Sequence, residues 1–276
     1  MSKVLSVLII LMVGFFVLPS CTKESKSDPI IPPNIPNDSV PNNPGISLSL
    51  DYGDTVLYLN STGSNIVSPR PLTKAGRFYG FPDGIELDSA NGNINLEESE
   101  TGLRYKIMFV PNGTTDTIST KVVLSGINFY DSIYNLSKGD SIARAIYNAN
   151  GRAYSPGQFG TGTDNVFDDG HGCNNQGCAV SFSDGSINLA QSLRSGAIET
   201  KQDAQKEFTY YYRIADKSEK TLNRMNVKLY YYDKKSDIPQ YLWDILLKDH
   251  AGTILPTGRP LGRARPRPPC IIIVAQ

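Results

Sequence analysis

Phe81-Pro82-Asp83-Gly84-Ile85-Glu86-Leu87-Asp88-Ser89-Ala90-Asn91-Gly92-Asn93-Ile94 is the stretch that decides how this chain is read. Ile85 and Leu87 are two residues apart, so an extended strand carries both to one face. Asp88 and Asn91 have short polar side chains that bond to turn backbone, and Gly92 takes a positive φ without steric cost. Ile94 restarts the apolar pattern. Upstream, Leu48, Leu50, Val56 and Tyr58 alternate in the same way, as half-buried strands do. Downstream, 103–110 and 117–124 alternate around Pro111-Asn112-Gly113, whose Asn-Gly step is a hairpin signal.

The run Pro82-x-Gly84-Ile85-x-Leu87-Asp88, a tight turn, then Gly92-x-Ile94 resembles the signature of bacterial Ig-like and cadherin-like modules. The resemblance spans 46–128 and implies an Ig-like β-sandwich; it implies nothing about a ligand. Cadherins bind calcium between modules, which directs attention to Asp51, Asp88 and Asp116. These aspartates form no acidic cluster at ligand spacing, and calcium takes roughly six to eight oxygens, so they read as turn formers.

Beyond the sandwich, 129–150 reads as a connector, with 142–147 either a short helix or an extended crossover. A second β-rich domain spans 151–276. Its first part, 155–177, is rich in Gly, Asp and Asn and reads as a long surface loop. Ala179 to Leu189 reads as a hairpin about Asp184-Gly185. The stretches 208–214 and 227–232 read as two strands. Pro239 suits a first helical turn, and Leu242, Ile245 and Leu246 share one helical face, so 239–248 is the one short C-terminal helix. Cys270-Ile271-Ile272-Ile273-Val274 is too short to span a bilayer and reads as a buried strand. The fold class is therefore mainly β: an Ig-like β-sandwich, then a second β-rich domain. Short apolar runs between Gly, Asn, Asp and Pro agree with that.

The amino-terminal end decides where the protein works. Met1-Ser2-Lys3 is a basic start, and the apolar run from Val4 to Val17 has roughly 14 residues, short of the about 20 a membrane span needs. Leu18-Pro19-Ser20-Cys21 follows, and the chain turns polar at once. This resembles a bacterial lipoprotein signal peptide, with 1–20 removed and Cys21 lipidated; Pro19 departs from the common choice. The resemblance implies an outer-membrane lipoprotein of Bacteroidota type, held by more than one acyl chain, since one alone binds only marginally. Residues 22–45 carry six prolines among Asn, Asp and Ser, and form the tether together with the anchor at 21. At roughly 3.1 Å per residue such a segment reaches up to about 75 Å. Asp38-Ser39-Val40 resembles the Asp-Ser/Thr-apolar acceptor of Bacteroidota O-glycosylation, making Ser39 a candidate glycan site on the tether.

Composition excludes several classes. The 276 residues carry 27 Lys+Arg and 27 Asp+Glu, so no bulk field attracts nucleic acid. Only His171 and His250 are histidines, and no Gly-x-Ser-x-Gly, phosphate loop or His-Glu-x-x-His is present. The expectation is no catalytic residue, no cofactor and no metal.

The densest polar cluster runs from Asp164 to Cys178. A zinc site from His171, Cys173 and Cys178 lacks a fourth ligand and a standard spacing. A calcium loop from Asp164, Asp168 and Asp169 lacks the EF-hand spacing. A disulfide between Cys173 and Cys178 fits an oxidising compartment, with Cys270 left as a buried thiol or an alternative partner. Tyr210-Tyr211-Tyr212 and Tyr230-Tyr231-Tyr232 place rings on both faces of neighbouring strands. One face belongs to the core. The other is a candidate aromatic binding surface, named by Tyr210, Tyr212, Tyr230 and Tyr232, with cross-strand pairing inside the sheet as the plain alternative. The reading is a lipoprotein with a non-enzymatic recognition, adhesion or display role, its partners the membrane and a glycan or envelope protein. A carbohydrate-active enzyme or glycan-binding accessory is the alternative, because a carboxylate pair is a matter of coordinates rather than spacing.

Overall fold

A computed structural model describes residues 49–70, 72, 74–81, 84–149, 164–248 and 268–276. Cys21, Ser39, the expected signal peptide and tether, His250, 150–163 and 249–267 lie outside them. The described chain is mainly β.

Seven strands come first: β1 (Val56–Leu57), β2 (Ile66–Val67), β3 (Gly76–Phe81), β4 (Glu86–Leu87), β5 (Ile94–Asn95), β6 (Arg104–Pro111) and β7 (Ile118–Leu124). One sheet has the order β1-β7-β6-β3 and another the order β2-β5-β4. Alternation makes their shared core. Tyr105, Ile107 and Phe109 of β6, Val122 and Leu124 of β7, Phe78 of β3 and Ile94 of β5 are all buried in it. Ile85 and Leu87 pack at its margin, as their spacing predicts. Leu87 pairs with Ile94 across the turn. The Asp88 carboxylate accepts from Ala90 N at 2.8 Å, and Gly92 has φ +78°. A Cβ on Gly92 would lie 2.6 Å from the Phe78 ring, so both backbone conformation and close approach require glycine there.

The later strands are β8 (Ile127–Phe129), β9 (Ser132–Asn135), β10 (Ile142–Ala143), β11 (Ala145–Tyr147), β12 (Val166–Phe167), β13 (Ile187–Asn188), β14 (Ala204–Arg213), β15 (Asn223–Tyr232) and β16 (Cys270–Val274). The helices are α1 (Gly172–Asn175), α2 (Leu189–Arg194) and α3 (Gln240–Lys248). A five-stranded sheet has the order β12-β14-β15-β16-β9. β14 and β15 are antiparallel, whereas β16 runs parallel to both β15 and β9. One face buries Phe208, Tyr210, Tyr212, Leu229, Ile271 and Ile273 under Phe129, Leu189 and the α1 region. The other buries Tyr230, Tyr232, Ile272 and Val274 under Leu242, with Trp243, Ile245 and Leu246 of α3 beside them. Burial on both faces explains why β16 is an unbroken apolar run.

Several expectations change. The stretch 129–150 holds strands: β9 is an edge of the five-stranded sheet, β10 pairs with β13, and β11 pairs with β8. The expected loop at 164–177 contains β12, a turn and α1. The hairpin at 179–189 reduces to a bridge between Val180 and Ile187, with β13 turning to β10 instead. The helix α3 lies where Pro239 and the apolar spacing put it.

Contacts join Ile46–Gln276 into one compact unit. A polar seam connects its earlier and later strands. The Tyr212 hydroxyl is 2.6 Å from Thr101 Oγ1 and accepts from Ile127 N at 3.2 Å. Ser125 Oγ and the Tyr147 hydroxyl both donate to Asp216 Oδ2, at 2.8 and 2.6 Å. Asn128 Nδ2 donates to Glu100 Oε1 and to the Thr101 carbonyl.

Candidate functional site

The four tyrosines offered as a binding surface are buried, which corrects that reading. Tyr210 and Tyr212 alternate inward, their rings 6.0 Å apart in an edge arrangement. Tyr230 and Tyr232 point the other way, but α3 covers that face. Tyr232 donates to Asp203 at 2.7 Å. Burial raises the ionisation of Tyr210 and Tyr212 above the ordinary tyrosine range. The outward ring on β14 is Tyr211, 36% exposed, among Gln205, Glu207, Thr209, Arg224 and Asn226, which are also exposed.

The polar cluster from Asp164 to Cys178 folds around one carboxylate. Asp168 is 1% exposed and has φ +54°. Its Oδ1 accepts from Cys173 N at 2.8 Å, and its Oδ2 accepts from Asn174 N at 2.9 Å and Asn174 Nδ2 at 2.8 Å. The side chain thus satisfies donors at the start of α1 that would otherwise be orphaned in the interior. Asp169 turns outward and takes Arg213 Nε at 2.6 Å. His171 also turns outward, its ring 4.9 Å from that of Phe182, which is 52% exposed.

The disulfide expected between Cys173 and Cys178 is not formed. Both are buried reduced thiols, and Cys270 is a third, in β16. Cys173 Sγ donates to the Thr209 carbonyl at 3.5 Å. Its thiol is pushed up, first by the hydrogen bond with Cys178, then by burial, then by the charges around it. The imidazole of His171 faces Phe182 on the surface while Cys173 faces the core, so the chain does not assemble the zinc set. Of the calcium set, Asp168 and Asp169 are engaged by α1 and Arg213. No group of three or more His, Cys, Asp or Glu among the described residues is placed to hold a metal.

Of the other aspartates, Asp51 accepts from Gly53 N at 2.7 Å and Asp88 closes its own turn. Asp51 also pairs with Arg70 at 3.0 Å, and both are exposed enough that the pair stabilises little. Arg70 stands at a shallow cleft of about 190 Å³ lined by Pro69, Leu72, Lys74, Gly76, Phe78 and Phe109 among others. Phe78 and Phe109 lie behind it in the core, 5% and 1% exposed, with ring centroids 4.8 Å apart at 48°. Gly76 exists there because a Cβ would run into the Phe109 ring and the Val110 carbonyl. The volume suits one ring or one side chain, less than the roughly 300 Å³ or more of a typical small-molecule pocket. Lys74 and the Asp51-paired Arg70 beside it favour a ligand with an acidic or hydroxylated group.

Sequence reasoning missed this cleft, because its parts come from 69–78, 90–91 and 109. It also missed α2, although the signal was present. Asn188 followed three residues later by Gln191 is a helix-start pattern. The Asn188 side chain accepts from Gln191 N at 2.9 Å.

No protein-family model and no curated protein matches the chain. A solved structure, human protocadherin-24 EC1-2, is similar over 67% of this chain and 97% of its own, at 9% identity and a TM-score of 0.23. That likeness is too slight for a fold or residue roles to be carried across.

Proposed function

We propose that the protein is an outer-membrane lipoprotein of Bacteroidota type, with an Ig-like, cadherin-like first module, and that it recognises or displays rather than catalyses. Cys21 is its lipid attachment, 22–45 its stalk, and Ser39 a glycan acceptor on that stalk. Partners are a glycan or an envelope protein. The observation that carries the recognition reading is how the chemistry is divided between inside and outside. Asp168, Cys173, Cys178, Tyr210 and Tyr212 are buried and engaged with neighbouring groups. What faces outward is the shallow cleft beside Arg70 and Lys74. Binding needs a presented surface, whereas acid–base or nucleophilic chemistry needs reactive groups within reach of a substrate.

Three measurements test it. Labelled palmitate should enter the wild type and not the Cys21→Ser variant, which should leave the membrane fraction. Unlabelled wild type, with the variant still membrane-bound, would refute the anchor. A glycan array probed with the soluble body should give signals that fall on Arg70→Ala/Lys74→Ala substitution. Signals that survive that change would remove the cleft from the reading, and polypeptide-plus-lipid mass alone would remove Ser39.

A further inference from the structure

The fourth position of the five-stranded sheet is filled by a strand that neither of its neighbours holds by a short turn. β16 runs parallel to β15 on one side and to β9 on the other. Parallel neighbours need long crossovers, so no hairpin ties it to either. All five residues, Cys270 to Val274, are buried. Ile271 and Ile273 complete one core, and Cys270, Ile272 and Val274 complete the other. Without this strand β15 and β9 would each present an unpaired edge, with an apolar groove open on both faces between them. Residues 249–269 join α3 to β16, and a chain of that length spans at most about 70 Å at roughly 3.3 Å per residue. The strand can therefore fill this groove in its own chain or reach a neighbouring one.

We infer that β16 is an exchangeable strand and that the groove between β15 and β9 is an interaction surface for a second copy of this chain. Every strand contact is the same in the closed chain and in the exchanged pair, so the two differ by mass action and strain at the connection. A connection of about 20 residues sets the effective concentration of the chain's own strand at about the millimolar range. Exchange is therefore absent in dilute solution and populated where copies are crowded to that level. α3 stays with its own β15 and closes over whichever β16 arrives.

The register supplies a test that uses the full chain. Lys228 lies opposite Cys270 across β15 and β16. One copy carries Lys228→Cys together with Cys270→Ser, and the other is wild type. Neither can form the 228–270 link within itself. The two are mixed, unfolded, refolded together at about 1 mM, and oxidised. A covalent pair whose peptide map joins 228 of one copy to 270 of the other is expected. It should fall at least tenfold in yield when refolding is done at micromolar concentration. Lys228→Cys alone, with its native Cys270, should link within one chain and verifies the register. Intrachain linkage without any interchain product at about 1 mM would overturn the inference. Should the control not link, native mass spectrometry of co-refolded light and heavy copies decides. Mixed-mass dimers that persist on dilution support exchange, and monomers alone, or dimers that dissociate within the dead time, refute it.

Discussion

Removing one oxygen atom, Tyr212→Phe, should uncouple the two halves of the β body. The ring is fully buried, so phenylalanine leaves no cavity and keeps the packing against Tyr210. What disappears is the hydroxyl that lies 2.6 Å from Thr101 Oγ1 and accepts from Ile127 N at 3.2 Å. Each buried group left without a partner costs about 1–3 kcal/mol. The Thr101 hydroxyl can rotate and recover part of that, whereas the Ile127 amide is fixed by the backbone. The sum is about 2–4 kcal/mol, a large fraction of a typical total of about 5–15 kcal/mol. For a body of this size that lowers Tm by about 5–15 °C. Two probes read it. Fluorescence of Trp243, the sole tryptophan, follows the later sheet through α3, and far-ultraviolet dichroism follows both halves. The wild type should show coincident urea transitions. In Tyr212→Phe both midpoints should fall and separate, because the seam, left with the Ser125–Asp216 and Asn128 bonds, couples the halves less tightly. Thr101→Val in the same background should restore part of the loss, giving a coupling energy of about 1 kcal/mol or more. A variant within about 0.5 kcal/mol of wild type, with coincident transitions, would refute the claim that this hydroxyl couples the halves.

Gly126→Ala should cost about 2 kcal/mol or more, because φ is +145° and a Cβ would run into the Tyr212 hydroxyl; the loss should shrink in Tyr212→Phe, and an unchanged urea midpoint would contradict the geometry. Asp168→Asn keeps shape and tolerates the positive φ but removes one acceptor from a carboxylate serving three donors, so a loss of about 2–3 kcal/mol is expected by denaturant titration. Tyr52, Tyr105, Tyr134, Tyr147, Tyr210 and Tyr212 all ionise above the ordinary range because of burial. Their raised folded values contribute stability that is complete below the unfolded value of about 10 and lost as pH rises beyond it. Phenolate absorbance at 295 nm should therefore rise in two stages, the second coinciding with loss of dichroism; a single smooth titration of a still-folded chain would sink the claim.

Periodicity made some elements legible and left others hidden for a physical reason. β6, β7 and the Asp88–Gly92 turn follow from alternation and turn chemistry that act within a few residues. So does α3, from Pro239 and the spacing of Leu242, Ile245 and Leu246. Alternation also predicts that Tyr210 and Tyr212 share a face opposite Tyr211. It does not say which face is covered, and here α3, which follows β15 after a short connection and folds back over it, decides the fate of Tyr230 and Tyr232. The strands β8 to β11 have two to four residues, too few for a period to register. Their partners lie as far away as β16. The Gly- and Asn-rich run from Asp164 to Cys178 has a loop's composition. Positive φ at Asp168, Gly170 and His171 lets it fold back so that Asp168 enters the interior, which composition cannot signal.

The seam adds directional polar contacts to the apolar ones that Ile146 and Tyr130 make between the halves. An apolar boundary of similar area would be about as stabilising and indifferent to small sliding of one half on the other. Hydrogen bonds are directional, and unsatisfied ones are costly when buried. Thr101, Ser125, Ile127, Tyr147, Tyr212 and Asp216 are brought together from well-separated stretches of the chain. Their bonds at 2.6–3.2 Å are all met in one relative placement of the strands. That placement fixes β8 and, through the short turn after it, the position of β9 as the wall of the groove that β16 fills. The same atoms that join the halves therefore set the width of that groove, so loosening Tyr212 should weaken retention of β16 as well as the seam.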